Sequence, residues 1–273
     1  MKAKILASLR ETEGYVSGQE LCERFGVSRT AVWKAINHLK AAGYEIEAVP
    51  NRGYHLVTAA DVMNEPELNS LRRTKWVGQE IHYYDTIDST NTKAKELAEQ
   101  GSPHGTLVVA DQQLSGKGRR GRSWVSPANT GIFMTILLKP EINPNHASML
   151  TLVTALAVAQ AIQDVIRGEM PPKLGKSEKM NNLSESDKNK AAENDDVPMV
   201  GIKWPNDILY KGKKLVGILT EMSAEMDRVN HIVIGTGINV NIGQEEFPEE
   251  LRETATSLSI MQGKPLPREN FFQ

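Results

Sequence analysis

The chain has 273 residues, of which 40% are hydrophobic and 24% charged, an ordinary composition for a globular protein. The formal net charge of −2 is too small for the whole molecule to be a general nucleic-acid binder, so charge has to be examined locally. The single cysteine, Cys22, excludes an internal disulfide. We find no signal peptide and no apolar run of roughly 18 to 20 residues, and we therefore expect a cytoplasmic protein without a membrane helix.

The first 60 residues predict a small domain of three helices and a hairpin. Ser17 and Ser28 are placed to cap the second and third helices, and Gly26 is placed to end the second. After Gly43 the apolar residues alternate, and turn residues at 50–53 separate two short strands. A helix pair followed by a hairpin is the winged helix-turn-helix pattern.

The charge of this domain favours DNA as its ligand. Between Glu23 and Glu45 the chain has four Lys or Arg residues and no acid, and the third helix would enter the major groove by its N-terminal end. The alternative is a packing module whose basic side is only solvated, but the helix pair, the acid-free stretch and the hairpin coincide. The residues that we expect to contact DNA are Ser17, Ser28, Arg29, Thr30, Lys34, Asn37 and Arg52.

Residues 61–78 predict a partly helical connector, and residues 79–273 predict a second domain in which strands and helices interleave. The class is therefore mixed α/β (α+β). The segment 171–198 has too few large apolar residues to offset the entropy of ordering, and we expect a disordered loop there. Strands are predicted at 81–84, 106–111, 132–138, 200–203, 214–221 and 231–240, and helices at 90–100 and 147–167.

A basic, glycine-rich segment at 116–124 follows the apolar run 107–110. Its first seven residues contain three glycines and four cations, a combination suited to wrapping a polyphosphate and neutralising its charge. The segment is not a Walker A loop. By itself it fits a basic RNA- or membrane-binding patch equally well.

The segment Lys203-Trp204-Pro205-Asn206-Asp207 favours the phosphate interpretation. Pro205 should interrupt a strand there, which places a cation, an amide and a carboxylate at one corner. A lysine at this corner could stabilise the charge that develops when a carboxylate attacks an α-phosphate. The glycines in 214–221 and 235–241 suggest backbone that lies close to a ligand.

Together these segments resemble the biotin protein ligase family, and the N-terminal domain resembles that of its bifunctional ligase–repressor branch. The resemblance covers essentially the whole chain except 171–198. It implies a winged helix-turn-helix followed by a mixed-sheet, biotin/lipoate-ligase-like catalytic domain. The implied reaction joins biotin and Mg-ATP into biotinyl-5′-adenylate and passes biotin to a lysine of a biotin carboxyl carrier protein, that of acetyl-CoA carboxylase. The branch also implies repression of biotin genes at an operator, by a homodimer that forms when the adenylate is bound.

The resemblance assigns roles residue by residue. Lys203 and Arg119 would be catalytic, and no protein metal site is implied. The residues implied to bind biotin are Ser89, Thr90, Asn91, Gln113, Lys117, Gly118, Arg119 and Lys203. Those implied to bind the nucleotide are Arg120, Arg122, Trp124, Asn206 and Asn239.

The chain departs from the family pattern at three places. Lys117 stands where the family commonly has arginine, and the insert 171–198 has no counterpart. The sequence ends at Gln273, short of the family's last catalytic-domain helix and small C-terminal β-barrel-like domain, which predicts a truncated sequence. Two other functions stay open at this point: a biotin-sensing repressor without ligase activity, and a lipoate-type protein ligase.

Overall fold

The N-terminal residues fold into three helices and a two-stranded hairpin, as the sequence predicts. The computed structural model describes residues 1–58, 61–168, 199–226 and 228–272. The elements of this first unit are α1 (Lys2–Glu11), α2 (Gly18–Phe25), α3 (Arg29–Ala41), β1 (Glu45–Val49) and β2 (Gly53–Thr58). The strands β1 and β2 are antiparallel.

The helix boundaries follow from capping chemistry. The Ser17 hydroxyl accepts a hydrogen bond from the Glu20 amide at 3.0 Å, and the Ser28 hydroxyl accepts one from the Ala31 amide at 3.2 Å. Gly26 ends α2 in the left-handed conformation, with φ 64°, which costs glycine little. All three predicted helix signals are confirmed.

The connector contributes a helix, α4 (Glu65–Leu71), that packs against α1. Glu67 of α4 is 1% exposed and accepts hydrogen bonds from Arg10 and, at 2.6 Å, from the Tyr44 hydroxyl. Burial and the hydrogen bond to Glu67 both raise the pKa of Tyr44. A buried carboxylate with two donors therefore joins the first unit to the connector.

The remaining residues form a seven-stranded sheet in the order β3-β4-β5-β9-β8-β7-β6. Strands β3 and β4 are parallel, and every other neighbouring pair is antiparallel. The strands are β3 (Ile81–Ile87), β4 (Leu107–Gln113), β5 (Gly131–Leu138), β6 (Gly201–Lys203), β7 (Asp207–Tyr210), β8 (Lys213–Glu225) and β9 (Arg228–Asn239). The helices are α5 (Thr90–Glu99), α6 (Ala147–Arg167) and α7 (Leu258–Gln262).

Most predicted elements are confirmed, with longer strands in the second half. Strand β7 and helix α7 were not predicted, because each has only four or five residues and too short a pattern to show a period. Pro205 lies between β6 and β7, so the predicted interruption is confirmed. The predicted disordered insert, 171–198, lies outside the described residues.

Helix α6 bears on the expectation that the chain has no membrane helix, because it is long and apolar enough to span one. Although its apolar run is interrupted by polar residues, the segment Pro144–Arg167 has a mean hydropathy of 1.7 over 18 residues, so its length and composition would allow it to cross a membrane. Its inner face, with Ala155, Val158 and Ile162, packs in the same core as β8 and β9. In the part of the chain that the structure describes, α6 therefore packs against the sheet.

A buried arginine ties the connector to the sheet. Arg268 is 1% exposed, and its guanidinium lies 3.0 Å from Asp61 and 2.5 Å from Asp111 at the end of β4. Two carboxylates and the Gly131 carbonyl therefore satisfy a cation that would otherwise be costly to bury. Asp111 lies two residues before Gln113, so this cluster also fixes the strand end beside the site described below.

We predict that Glu269→Gln stabilises the protein at pH 8 more than at pH 5. Burial raises the pKa of Glu269 to about 7, and its Oε2 has no hydrogen-bond partner among the described residues. Between its ordinary pKa and about 7 the folded state holds a proton that the unfolded state has lost, so stability falls as pH rises through this range. The amide removes that penalty, and we expect Tm to rise by about 2–4 °C at pH 8.

Thermal melts of both proteins at the two pH values measure this difference. Glu253→Gln, at an exposed position, is the matched control and should move neither curve. An equal Tm gain for Glu269→Gln at both pH values would contradict the assignment.

Candidate functional site

Strands β4, β8 and β9, the start of α5 and the basic loop surround a small cavity, the inner pocket, of about 40 Å³. Its polar walls come from α5 and β4, and its floor comes from glycine-containing stretches of β8 and β9. The residues lining it are Ser89, Thr90, Asn91, Gln113, Lys117, Gly118, Arg119, Trp124, Asn206, Lys214, Gly217, Ile218, Leu219, Gly235, Thr236 and Gly237.

Asn91 holds the start of α5 against the sheet. Its side chain is 4% exposed, and its Nδ2 donates to Glu221 Oε2 at 2.8 Å and to the Leu219 carbonyl at 3.3 Å. The Thr135 hydroxyl of β5 lies 2.7 Å from its Oδ1. Both amide hydrogens are thereby used within the protein, so Asn91 borders the pocket while acting mainly as an internal link.

Glu221 is kept charged beside the pocket. Burial disfavours the carboxylate, but hydrogen bonds from Asn91 and Lys95 outweigh it and lower the pKa of Glu221 below its ordinary value. The Lys95 ammonium lies 2.9 Å from Glu221 Oε1. The acceptor for Asn91 is therefore an ionised carboxylate, which makes the stronger kind of hydrogen bond.

Thr90 and Gln113 form the polar wall. Gln113 Oε1 accepts from the Thr90 amide at 2.9 Å and from the Thr90 hydroxyl at 3.0 Å, while its Nε2 donates to the Ser126 hydroxyl. Ser89 occupies the N-cap position of α5, yet its side chain makes no capping hydrogen bond. The Ser89 side chain is thus not used as a helix cap, and Ser89 lines the pocket.

Side chains from other elements lie so close to three glycines of β8 and β9 that a Cβ atom would not fit there. A Cβ at Gly235 would lie 2.0 Å from Asn91 Oδ1, and Cβ atoms at Gly217 and Gly237 would lie 2.5 and 2.4 Å from the Trp124 ring. The backbone does come close to other groups there, as the sequence suggested, but in this structure those groups are the protein's own side chains.

A larger outer cavity of about 630 Å³ adjoins the inner pocket and shares part of its lining. Cations line it from two directions, namely the basic loop and the corner at Lys203. Its lining residues are Gly118, Arg119, Arg120, Arg122, Ser123, Trp124, Val125, Lys203, Asn206, Asp207, Leu209, Gly212, Lys214, Asn239, Phe247, Leu251, Thr254 and Ala255.

The basic loop is folded on itself and attached at two points. The Gly118 amide donates to the Arg122 carbonyl at 2.7 Å, and Arg120 has φ 56° at the tip. Lys117 Nζ donates to the Thr92 hydroxyl at 2.9 Å, and Arg119 Nη1 donates to Asn206 Oδ1 at 2.9 Å. The two loop cations that line the inner pocket are thereby both held by neighbouring side chains.

The corner between β6 and β7 supplies the rest of the outer cavity. Lys203 is exposed, so its ammonium is free to reach a bound anion. Asp207 pairs with Lys214 at 2.8 Å, and the Lys214 ammonium also lies 5.2 Å from the centre of the Trp124 ring. Lys214 thus fixes the orientation of the aromatic ring that separates the two cavities.

The structure brings together the residues that the resemblance assigned. Seven of the eight expected biotin-binding residues line the inner pocket, and Lys203 lies in the outer cavity. All five expected nucleotide residues line the outer cavity. Thr135, Glu221 and Lys214 were not identified from the sequence, because a polar residue inside a strand gives no local sign of its partners.

The expected DNA contacts lie on one surface of the first unit. Ser17, Arg29 and Arg52 line a groove between α2, α3 and the hairpin, and Thr30 and Lys34 are exposed on α3. Asn37 is half-buried, and the hydroxyls of Ser17 and Ser28 act as helix caps. Arg29 also donates to Gln19 Oε1 at 2.9 Å.

A polar pocket beside a cation-lined cavity defines an α/β domain suited to an acid and a nucleotide, here joined to a helix-turn-helix unit. Residues 83–239 match the biotin/lipoate A/B protein ligase family, and residues 2–55 match a helix-turn-helix (HTH) domain family. The chain belongs to the biotin/lipoate A/B protein ligase family.

The chain is similar to a ligase/repressor and to solved biotin protein ligases. The chain is 42% identical over 259 residues to the bifunctional ligase/repressor BirA of Bacillus spizizenii, covering 95% of this chain and 70% of the relative. Among solved structures, it is similar to the Aquifex aeolicus biotin protein ligase in complex with biotin and ATP, with 29% identity and a TM-score of 0.51; the match covers 71% of this chain and 65% of that one. The Leishmania major biotin protein ligase in complex with biotinyl-5-AMP has 26% identity and a TM-score of 0.51, over 71% and 70% of the two chains.

We predict that Gly235→Ala weakens biotin binding at least tenfold and lowers Tm by several degrees. The new methyl group would lie 2.0 Å from Asn91 Oδ1, so Asn91 must shift and lose hydrogen bonds that are costly to break when buried. Calorimetric titration with biotin and a thermal melt measure both effects. Gly201→Ala, where no atom lies within 4 Å of the new Cβ, is the control. Unchanged binding in Gly235→Ala would show that Asn91 does not support the pocket.

Proposed function

We propose that this chain is an ATP-dependent biotin protein ligase and a biotinyl-adenylate-dependent transcriptional repressor. Its acceptor is a lysine of a biotin carboxyl carrier protein, that of acetyl-CoA carboxylase. The observation that carries the proposal is that the two cavities adjoin, since Gly118, Arg119, Trp124, Asn206 and Lys214 line both. A carboxylate leaving the inner pocket would meet a phosphate in the outer cavity at Arg119.

The first half-reaction needs two anions to approach each other. Biotin's bicyclic ring would occupy the inner pocket, where Ser89, Thr90 and Gln113 offer donors and acceptors to its ureido group. A biotin carboxylate oxygen attacks the α-phosphorus of ATP, a P–O bond forms, and pyrophosphate leaves. Arg119 and Lys203 lower the repulsion and stabilise the charge on the pentacoordinate phosphorus.

The second half-reaction consumes the adenylate. The neutral amine of the acceptor lysine attacks the acyl carbon, an amide bond forms, the bond from that carbon to the phosphate oxygen breaks, AMP leaves with the electron pair, and the nitrogen gives one proton to solvent. The loop 116–124 would cover the mixed anhydride and keep water from it until the acceptor arrives. Its attachment through Lys117 to Thr92 and through Arg119 to Asn206 is consistent with such a cover.

Mg²⁺ would enter as its complex with ATP. The described ranges contain no group of three or more His, Cys, Asp or Glu side chains able to hold a metal ion. Mg²⁺ commonly keeps water and phosphate oxygens as ligands in nucleotide sites. Because ATP, operator DNA and a reduced Cys22 all belong to the cytoplasm, we place the protein there.

The repressor function requires a dimer. One winged unit carries few cations, so a single copy makes few phosphate contacts and binds DNA weakly at physiological salt. Two copies held at a half-site spacing add their contacts. We infer that the adenylate favours the homodimer by ordering the basic loop, which requires tighter binding of the adenylate to the dimer-competent state.

We predict that Lys203→Ala reduces biotinyl-adenylate synthesis about 10²–10³-fold, the loss usual for removing one group aimed at developing charge. Because Lys203 is exposed, the variant should keep the parental Tm. Pyrophosphate release with biotin, with lipoate and with neither acid measures the rate and the choice of substrate.

Lys264→Ala removes another exposed lysine outside both cavities and should retain the parental rate. A Lys203→Ala rate within twofold of the parent would refute the catalytic role. A parent that binds biotin without releasing pyrophosphate would be a sensor only, and one that uses lipoate in preference would be a lipoate-type ligase.

We predict that biotin and ATP together tighten operator binding at least tenfold at fixed salt. The reason is that the adenylate must bind the dimer-competent state more tightly, because a ligand indifferent to the two states shifts nothing. Fluorescence anisotropy with a labelled operator duplex measures the affinity. Arg29→Ala should weaken binding with and without the ligands while preserving the tightening factor. If the ligands leave parental affinity unchanged, the regulatory half of the proposal fails and the ligase half stands.

A further inference from the structure

Trp33 lies on the outer surface of α3 and contributes nothing to the core. Its side chain is 56% exposed, whereas Val32, Ile36 and Leu39 on the inner side of the helix are buried. At helical spacing, residues 30, 33, 34 and 37 share one face. Trp33 therefore lies on the face that carries the expected DNA contacts, with Arg29 one turn before it and Asn37 one turn after it.

Leaving a tryptophan ring in solvent forgoes a large gain in apolar burial. The exposed Trp76 at least stacks on His104, with ring centroids 4.6 Å apart. Trp33 has no stacking or cation–π partner among the residues that the structure describes. Its ring is thus available for intermolecular contact.

The positive charges around Trp33 favour a polyanion as the partner of its ring. Thr30 and Lys34, exposed on the same face, neighbour the ring, and Arg29 and Arg52 line the groove beside the hairpin. The acid-free stretch between Glu23 and Glu45 leaves α3 without a negative charge. A helix with cations around an exposed aromatic residue complements a major groove, in which phosphates flank the base edges.

We propose that Trp33 is a specificity-determining residue that contacts the C5-methyl group of thymine in the major groove. This inference rests on the proposed DNA binding and adds the base feature that is recognised. The thymine methyl group is the apolar feature of the major groove, and apolar side chains pack against it. The indole ring supplies a large, rigid apolar surface at low cost in side-chain entropy.

The test uses the full chain with biotin and ATP. Selection from a pool of random duplexes gives a preferred site, and each thymine in that site is then replaced singly by deoxyuridine, which removes only the methyl group. At one or more thymines per half-site the parent should lose about fourfold in affinity, the value for one buried methyl-sized group. Trp33→Ala should bind the unmodified site about tenfold more weakly and show no loss at those same thymines.

Lys34→Ala is the matched control on the same face. It should lower the salt dependence by about one ion per bound copy while keeping the parental response to deoxyuridine. Trp33→Leu, which retains an apolar side chain, should keep part of that response. Circular dichroism melts confirm that each variant is folded.

Equal deoxyuridine losses in the parent and in Trp33→Ala at every thymine would overturn the proposal, as would parental affinity in Trp33→Ala. A shift toward monomer in sedimentation of Trp33→Ala without DNA, combined with an unaltered thymine response, would assign Trp33 to a protein interface instead. If the parent selects no duplex, the proposed DNA binding fails first, and this inference with it.

Discussion

The arrangement of the site depends on one buried amide, the side chain of Asn91. It joins the first turn of α5 to Thr135 in β5 and to Leu219 and Glu221 in β8, and it fits only because Gly235 in β9 has no side chain. Four elements meet at this residue. The position of Thr90, and through it of Gln113, follows from that contact, so the polar wall of the inner pocket is set before any ligand binds.

Two further buried polar clusters in the described part of the chain also link separate elements. Glu67 joins the first unit to the connector, and Arg268 joins the connector to the end of β4. Each is a buried charge with its partners in place, a combination that adds specificity of arrangement more than net stability. The first cluster thus links the N-terminal unit to the connector, and the second links the connector to the strand that carries Gln113.

The two exposed parts of the site have a different character. The basic loop and the Lys203 corner supply cations to the outer cavity. A buried polar pocket beside a cation-lined cavity suits the proposed enzyme, which must join an acid to a nucleotide and protect the reactive anhydride from water. The exposed surface of α3 is not needed for packing, because the inner residues of the helix already form the core contacts.

The helix caps at Ser17 and Ser28, the alternation of the long strands and the two clusters of cations could be predicted from the sequence, because they depend on neighbours within a few residues. The family resemblance added a prediction of the residues that line the two cavities. The folded structure was needed to show that Asn91 uses its amide for internal bonds, that Glu221 and Thr135 support it, and that Arg268 bridges Asp61 and Asp111. Those partners are separated by 44 to 207 positions along the chain, and a hydrogen bond between distant residues leaves no periodic pattern in either segment.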